Sequence, residues 1–351
     1  MAHGTPSPSR NPTSLGWVGI ARRTLRSVGV NRIVTNSSWR GDRLLVLCYH
    51  GISLGDEHDW RPGLFLSPMC FEQRLRAIAE GGYNVLPLGE ALDRLARKSL
   101  PAKSVAITFD DGFADFALVA LPALKKYRFP ATVYLTTWYS LRNKPLFNLA
   151  VPYILWKQRD RAVGAAPQFG WDRPPDLRTE IGRTAAAISV LQFVCNHDIS
   201  SAGQHALLEE IAAALGFDYP SLIANHMLRI MTPEEATRVA SEGVTLELHT
   251  HRHRTPEDPD LFIREIQENR DHIRAISGVN PVHFCYPSGV YRPAMLPLLR
   301  QCGVFSATTC VPGLAEHDTE PLLLPRMLDF DNRTQESFEG WLSGVEAMWP
   351  R

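Results

Sequence analysis

Asp110 and Asp111 stand side by side directly after an apolar run, residues 105–109, and directly before Gly112. Like charges this close repel, so one of such a pair is usually matched by a cation or a metal ion in order to stay ionised. The alternative interpretation is a polar turn, because Asp-Gly is a common turn dipeptide. The first interpretation predicts an active site, and the rest of the chain must supply its other groups.

Three histidines form a second cluster, written HTHRH at residues 249–253, directly after the apolar run VTLEL. One aspartate with two histidines is a suitable ligand set for zinc or a similar divalent ion, and positions left open for water are typical of catalytic sites. His249 and His253 are the candidate ligands. His251 lies between them, and extended backbone would point it away from at least one neighbour.

The elements that must position these clusters alternate along the chain. Short apolar runs alternate with helical patterns, such as the one that begins after Thr232, where Pro233 takes the first helical position and Glu235 closes a capping box. This alternation predicts an α/β fold with a parallel sheet, open or closed into a barrel. In a barrel the chemistry lies at the carboxyl ends of the strands. The polar groups that follow predicted strands are His50, Asp110, Asp111, His249 and Tyr286.

Composition limits the partners. The chain of 351 residues has 37 basic and 37 acidic side chains, so its formal net charge is zero, and no basic footprint for a nucleic acid is present. None of the six cysteines forms a C-x-x-C pair, and most have apolar neighbours. We interpret them as buried free thiols of a reducing compartment rather than as a disulfide framework.

The chain divides into an N-terminal arm, residues 1–37, and a barrel domain, residues 38–351, which a helical insertion interrupts at about 141–230. The first residues are polar and rich in Pro and Ser, and residues 15–34 resemble a basic amphipathic segment that could lie on an anionic membrane. An ordinary helix at the domain edge is the alternative. No secretory signal and no run of 18 apolar residues is present. We therefore expect a cytoplasmic enzyme with possible peripheral contact to the inner membrane face.

With these residues in place, the sequence resembles the polysaccharide deacetylases, carbohydrate esterase family 4. The first family motif, T-F-D-D-G, matches residues 108–112, and the second, H-[S/T]-x-x-H, matches residues 249–253. The likeness extends over residues 43–140 and about 231–327, where LCYHGI, FCYPSGVY and LLLPRM are similar to landmarks of a bacterial surface-polysaccharide subgroup. The resemblance implies a distorted (β/α) barrel.

The resemblance also implies roles for individual residues. Asp111, His249 and His253 would hold one divalent metal, expected to be Zn²⁺, and Asp110 would be the general base. Pro287 matches the proline of the third motif, so the backbone N–H of Ser288 would help to stabilise the oxyanion, beside Tyr286 as a further oxyanion or substrate contact.

Two departures from the family pattern concern the catalytic groups. The family usually carries an arginine two residues before the third-motif proline, where this chain has Cys285. Arg326 either supplies that charge from elsewhere or is an exposed basic residue. The C-terminal L-x-H motif, which provides the usual general acid, is absent, and His317 has the wrong spacing. His50 is the better candidate for the acid, with a structural histidine as the alternative.

These features predict a metal-dependent hydrolase that removes an N-acetyl group from an amino sugar in a polysaccharide or its precursor. The expected partner is therefore an acetylated amino-sugar substrate. An O-deacetylase, or a hydrolase of another small acyl group, would use the same groups. A protein of another class, an inactive carbohydrate-binding relative, is the third interpretation. A cytoplasmic location would favour a precursor, either a nucleotide-activated or a lipid-linked sugar.

Overall fold

One large parallel sheet organises the part of the chain that this computed structural model describes, residues 30–348. The strands are β1 (Leu45–Tyr49), β2 (Gly51–Ile52), β3 (Phe65–Leu66), β4 (Asn84–Val85), β5 (Ser104–Phe109), β6 (Thr132–Leu135), β7 (Thr245–Leu248), β8 (His283–Cys285), β9 (Ser306–Thr308) and β10 (Met327–Leu328). The main sheet has the order β10-β1-β5-β6-β7-β8-β9, with β4 paired to the start of β5. Strands β2 and β3 pair separately.

The sheet is curled into a half-barrel, which confirms the predicted α/β fold of the distorted barrel type. Strands β9 and β10 stand at its two ends, and the segment between them fills the gap. In this segment the N–H of Leu324 donates to the carbonyl of Ala307, and Thr308 forms a parallel bridge with Leu324. Arg326 directly precedes β10 and is therefore carried to the interior of the curled sheet.

Alternation along the strands separates an outer from an inner face. In β5 the residues Val105, Ile107 and Phe109 join the large core between sheet and helices. Ala106 instead belongs to a small inner cluster with Val46 of β1. Continuing this alternation past the strand places Asp110 on the inner face, so the pleat directs this carboxylate into the barrel.

Helices surround the sheet, and their start and stop signals in the sequence agree with where the helices begin and end. They are α1 (Val30–Thr35), α2 (Ser38–Gly41), α3 (Glu57–Trp60), α4 (Pro68–Glu80), α5 (Leu88–Ala96), α6 (Leu121–Tyr127, after a π-helical turn Phe116–Ala120), α7 (Thr137–Ser140), α8 (Phe147–Lys157), α9 (Glu180–Asn196), α10 (Ser201–Leu215), α11 (Tyr219–Ala224), α12 (Pro233–Ser241), α13 (Pro259–Ser277), α14 (Met295–Gln301) and α15 (Gln335–Ser343). Short 3₁₀ turns are Pro167–Phe169, Pro287–Gly289, Pro321–Leu323 and Val345–Met348. The capping box predicted at Thr232 and Glu235 is confirmed.

Residues 141–230 contribute α8 to α11 and no strand of the main sheet. These helices pack mainly on one another through α8, which contacts both α9 and α10. The division into an arm, a barrel and an insertion remains a prediction, and most of the N-terminal arm, with most of the basic amphipathic segment, lies outside the described residues. Within residues 30–348, no helix is long and apolar enough to cross a membrane.

All six cysteines are free thiols, as expected, but their burial differs from the prediction. Cys48, Cys70 and Cys285 are buried, whereas Cys302 and Cys310 are half-buried and Cys195 is exposed. Cys195 lies near the end of α9, where helical periodicity turns it towards solvent. Apolar neighbours in the sequence are therefore a reliable guide for strand cysteines and a poor one for this helix.

One histidine at the amino end of the strands predicts a pH-dependent stability. Burial lowers the pKa of His283 from 6.5 to about 4, and its Nδ1 lies 2.8 Å from the hydroxyl of Ser306. A depressed pKa in the folded state gives stability that is present above pH 6.5 and is lost as the pH falls towards 4. Between these values, the free energy of unfolding should fall by up to about 3 kcal/mol more in the parent than in His283→Gln. Urea unfolding of the two metal-free proteins at several pH values measures this, and parallel curves would contradict it.

Candidate metal centre and active site

The two adjacent aspartates point to different places because the backbone turns sharply between them. The N–H of Asp110 still donates to the carbonyl of Tyr49, as in the parallel ladder. Asp111 has left the strand with a φ of 66°, and its carbonyl accepts the N–H of Thr136. This turn directs the Asp111 carboxylate out of the barrel interior and towards the end of β7.

Gly112 makes this turn possible. Its φ is 81°, in the region that favours glycine, and a Cβ atom there would lie 2.4 Å from Cδ1 of Leu135. Any other residue at this position would therefore push on β6, which forms the next strand of the site. Gly112 is therefore required at this position both for its positive φ and because no space is left for a side chain.

Asp111 and two histidines converge at the floor of an open cleft of about 840 Å³. Oδ1 of Asp111 lies 3.2 Å from Nε2 of His249 and 3.2 Å from Nε2 of His253. The other ring nitrogen of His249, Nδ1, lies 2.9 Å from the carbonyl oxygen of Cys285, which can only accept a hydrogen bond. Nδ1 therefore carries the proton of the neutral ring, and Nε2 presents a lone pair to Asp111.

This donor set fits a divalent cation. A carboxylate oxygen and an imidazole lone pair face each other, an arrangement that requires a positive charge between them. Burial opposes the ionisation of Asp111, but His253 and His249 hold the pKa of this carboxyl well below its usual range. Burial also opposes the protonation of His249, yet Asp111 and Asp110 raise its pKa. His253 is 30% exposed, so the side of the site that faces the cleft is open to a ligand.

Helix α13 holds the histidine loop in place. The side chain of Asn269 accepts the N–H of His249 at 2.9 Å and donates to the carbonyl of Leu135 at 2.9 Å, which ties β7 to β6. The buried carboxylate of Glu265 accepts the backbone N–H of Arg252 and the guanidinium of Arg254, at 2.8 and 2.7 Å. These contacts come from an element that the sequence motif does not include.

His251, the middle histidine, faces away from the centre, as the alternation predicts. Its Nδ1 lies 2.8 Å from the hydroxyl of Thr137, and its ring stacks on His272 with centroids 4.9 Å apart. Two of the three histidines therefore reach the metal site, and the third packs against α13.

Arg326 is fully buried, and its guanidinium forms a bidentate ion pair with the carboxylate of Asp110. Nη1 donates to Oδ1 at 2.7 Å, Nη2 donates to Oδ2 at 2.8 Å, and Nε donates to the carbonyl of Thr309. Burial opposes the ionisation of Asp110, but Arg326 holds the pKa of this carboxyl well below its usual range. Of the two alternatives for Arg326, the structure therefore shows the first: the residue is buried and its charge lies beside Asp110. It reaches this position from the segment that precedes β10, an end strand of the sheet.

Two thiols complete the surroundings of Asp110. Sγ of Cys285 lies 3.3 Å and Sγ of Cys48 lies 3.5 Å from Oδ2 of Asp110. Burial raises the pKa of both thiols well above the usual value, so both stay protonated and can donate. Cys285, at the position where the family carries an arginine, thus contacts the same carboxylate that Arg326 now pairs with.

The remaining predicted residues differ in their placement. His50 lines the cleft with its Nε2 3.9 Å from Oδ2 of Asp110, and burial lowers its pKa despite the carboxylates of Asp110 and Asp111. Ser288, with a φ of 56°, also lines the cleft. His317 lies in a groove beside His283, at the amino end of the strands.

Tyr286 requires a correction. Its side chain is buried beneath the site, its hydroxyl donates to the carbonyl of Leu322 at 3.0 Å, and its ring packs on Phe284. A substrate or oxyanion contact from this side chain does not fit that placement. Tyr286 directly follows β8 and joins the same core cluster as Phe284, so alternation continued past the strand could have excluded it.

Several residues of the cleft carry no signal in the sequence. Tyr139, Leu146 and Asn148 approach from the helical region, and Arg61 and Cys310 approach from loops on other sides. They lie far from both motifs along the chain, and only the folded chain brings them to the same opening. The two motifs therefore identify the floor of the cleft, and the fold supplies its walls.

Comparisons with known proteins agree with this architecture. A family model described as polysaccharide deacetylase matches residues 97–164 and 193–307, more than half of the chain. The chain belongs to the polysaccharide deacetylase family. The curated protein YxkH of Bacillus subtilis (strain 168), which is named as a polysaccharide deacetylase, is 36% identical over 94 residues, or 26% of this chain. That alignment spans 32% of the length of YxkH.

Solved structures show the same fold at low identity. The Streptococcus pyogenes deacetylase PplD, in complex with acetate, has 20% identity and a TM-score of 0.57, covering 88% of this chain and 99% of that one. IcaB from Ammonifex degensii has 20% identity and a TM-score of 0.53, covering 87% and 98%.

Metal analysis can test the ligand set directly. His249→Ala should weaken the binding of Zn²⁺ by more than about 100-fold, because even the loss of an outer hydrogen-bond partner typically costs 10- to 100-fold. Titration of the metal-free protein with Zn²⁺ measures this affinity. His251→Gln is the matched control, since this residue belongs to the same loop and faces α13, and it should bind metal like the parent. Equal affinities for His249→Ala and the parent would remove His249 from the ligand set.

Proposed function

We propose that this protein is a metal-dependent hydrolase that removes the N-acetyl group from an amino sugar in a polysaccharide or its precursor. The observation that carries this proposal is the convergence of Asp111, His249 and His253 beside a second, separately held carboxylate, Asp110, at the floor of an open cleft. Family membership supports a carbohydrate substrate. The donor set favours Zn²⁺.

In this proposal Asp111, His249 and His253 hold the metal, and Asp110 accepts a proton. When bound, the cation supplies Lewis-acid chemistry, polarising the acyl carbonyl and lowering the pKa of a water molecule. Arg326 keeps Asp110 ionised at neutral pH and fixes both of its oxygens. The lowered pKa makes this carboxylate a weak base, so it would give up an accepted proton readily. In this proposal the backbone N–H of Ser288, a residue that lines the cleft, would help to stabilise the oxygen of the acyl group.

His50 is the candidate that returns a proton to the leaving nitrogen. Its lowered pKa makes the ring neutral at pH 7, so it must first gain a proton within the cycle. Asp110 lies 3.9 Å away and has just accepted one. The proton lost by water would thus pass through Asp110 and His50 to the amine, and acetate and a free amino sugar are the products.

We also propose a cytoplasmic location with possible contact to the inner membrane face. The free state of all six cysteines supports a reducing compartment. A cytoplasmic enzyme would act on a precursor rather than on finished polymer.

The test is acetate release by the Zn²⁺-loaded protein from a panel of nucleotide sugars, lipid-linked sugars and oligosaccharides, each with an N-acetyl and an O-acetyl member. Release from an N-acetyl member is the expected result. Release from O-acetyl members alone would make the protein an esterase. Binding of sugars without release would instead indicate the inactive carbohydrate-binding relative.

A further inference from the structure

The active-site cleft adjoins a second cavity, which we call the helical groove. Three residues line both spaces: Tyr139, Leu146 and Asn148. The helical groove has an empty volume of about 1550 Å³, larger than the cleft itself, and α9 and α10 form part of its lining. A substrate that extends from Asp111 past these three residues would reach these helices.

Two cations line the groove. They are Arg142 and Lys144, and neither forms an ion pair with an acidic side chain in residues 30–348. The guanidinium of Arg142 lies over the ring of Trp138, 3.4 Å from its centroid, and Nη1 donates to the carbonyl of Trp138. This leaves the other N–H groups of Arg142 for a ligand. The charge of these two side chains suits an anionic group, and the planar fork of Arg matches the geometry of a phosphate.

Beyond the cations the lining is mainly hydrocarbon. Leu191 and Val194 of α9 and Leu208 of α10 belong to this lining, and Leu191 is the most exposed of the three. Its main polar side chains are largely engaged within the protein: Gln204 donates to the carbonyl of Ile199, and both ring nitrogens of His205 have partners, Tyr219 and Glu209. A nucleotide base needs donors and acceptors that are free to pair with it. An aliphatic chain needs only the apolar surface that these helices present.

We propose that the helical groove binds a phosphate-linked hydrocarbon chain, so that the substrate is an amino sugar carried on a lipid phosphate. The acetylated sugar lies over Asp111, the phosphate contacts Arg142 and Lys144, and the chain lies between α9 and α10. The position of the groove beside the cleft, its two unpaired cations and its apolar lining carry this assignment. It rests on the proposed function for the position of the sugar, but binding to the groove can be tested without turnover.

Three soluble probes distinguish a lipid phosphate from a nucleotide and from the free anion: farnesyl monophosphate, uridine monophosphate and inorganic phosphate. Calorimetry with the full-length protein should show farnesyl monophosphate binding at least about tenfold more tightly than the other two, since burying each CH₂ group contributes about 0.8 kcal/mol. Equal affinities, or a preference for uridine monophosphate, would overturn the proposal, and the latter would assign the groove to a nucleotide.

Two pairs of variants test the named contacts. Arg142→Gln should weaken farnesyl monophosphate about tenfold, the loss expected for one hydrogen bond to a charged group. Its control is Arg97→Gln, an exposed arginine after α5 outside the groove. Leu191→Asn should weaken farnesyl monophosphate and leave inorganic phosphate unchanged, whereas Ile188→Asn on the same helix should change neither, because Ile188 is 47% exposed and lies outside the lining.

Each variant is first checked by thermal melting. If Leu191→Asn does not fold, the Arg142 pair still decides the matter, since Arg142 is only half-buried and lies outside the hydrophobic core. Unchanged binding in Arg142→Gln would overturn the phosphate assignment. If farnesyl monophosphate binds as expected but no acetylated sugar releases acetate, the proposed function is wrong and the assignment of the groove to a lipid phosphate is retained. If free oligosaccharides release acetate and the lipid phosphate does not bind, the proposed function is retained and the assignment of the groove is wrong.

Discussion

Asp110→Asn is expected to lower kcat by roughly 100- to 10,000-fold while the protein still binds Zn²⁺. The amide cannot accept a proton as a carboxylate does, and Asp111, His249 and His253 are unchanged. Turnover on the best substrate of the panel and zinc affinity are measured on the same preparation. Loss of metal along with activity would make Asp110 a ligand. Unchanged turnover would exclude it as the base.

The chain offers a matched control for this substitution. Asp329 is also a buried carboxylate and is paired with a buried arginine, since Nε of Arg74 lies 2.9 Å from its Oδ2. It follows β10 but is not part of the cleft lining. Asp329→Asn should therefore leave kcat per folded molecule close to that of the parent. A comparable fall in kcat would show that the loss in Asp110→Asn reflects a disturbed barrel.

The second large effect is expected on stability. Arg326→Met leaves the carboxylate of Asp110 buried without its guanidinium, and breaking a buried pair in this way typically costs about 3–5 kcal/mol. The double variant Asp110→Asn/Arg326→Met should lose less than the sum of the two single variants, because neither member of the pair is then left buried without its partner. Urea unfolding of the metal-free proteins measures all three free energies. Strictly additive losses would show that the pair is not coupled.

A surface pair provides the comparison for Arg326. Nη2 of Arg43 lies 3.0 Å from Oε1 of Glu316, whose side chain is 45% exposed. Arg43→Met should cost at most about 1 kcal/mol, as is usual for exposed ion pairs. A loss as large as that of Arg326→Met would mean that the latter reports packing of the long side chain rather than the buried charge.

The sequence predicts the part of the site that local patterns encode. Alternation of apolar residues in β5 determines that Asp110 faces inwards, and the two motifs place Asp111 and the histidines at the carboxyl ends of β5 and β7. The capping box at Thr232 is local in the same sense. Each of these signals depends on residues within a few positions of one another, so the fold has little freedom to change them.

The rest of the site depends on contacts between distant parts of the chain, which local patterns do not encode. Arg326 and Asp110 are 216 positions apart, and Cys285 and Asp110 are 175 apart, so no periodicity relates them. For Arg326 the sequence left a buried partner and an exposed residue as equal alternatives. The helical groove is even harder to predict from the sequence, because Leu191 and Leu208 have the same apolar pattern whether they line a cavity or fill a core.

The position of Arg326 near the end of the sheet bears on how the protein is made. Asp110 leaves the ribosome long before Arg326 does, and domains generally begin to fold from the amino-terminal side at about 5–20 residues synthesised per second. During this interval the growing chain holds strands β1 to β9 but lacks the guanidinium that neutralises their buried carboxylate. The barrel interior is therefore the last region that can reach its final packing. A nascent chain halted before residue 326 should remain open around Asp110 and be sensitive to proteases there, however well its outer helices have formed.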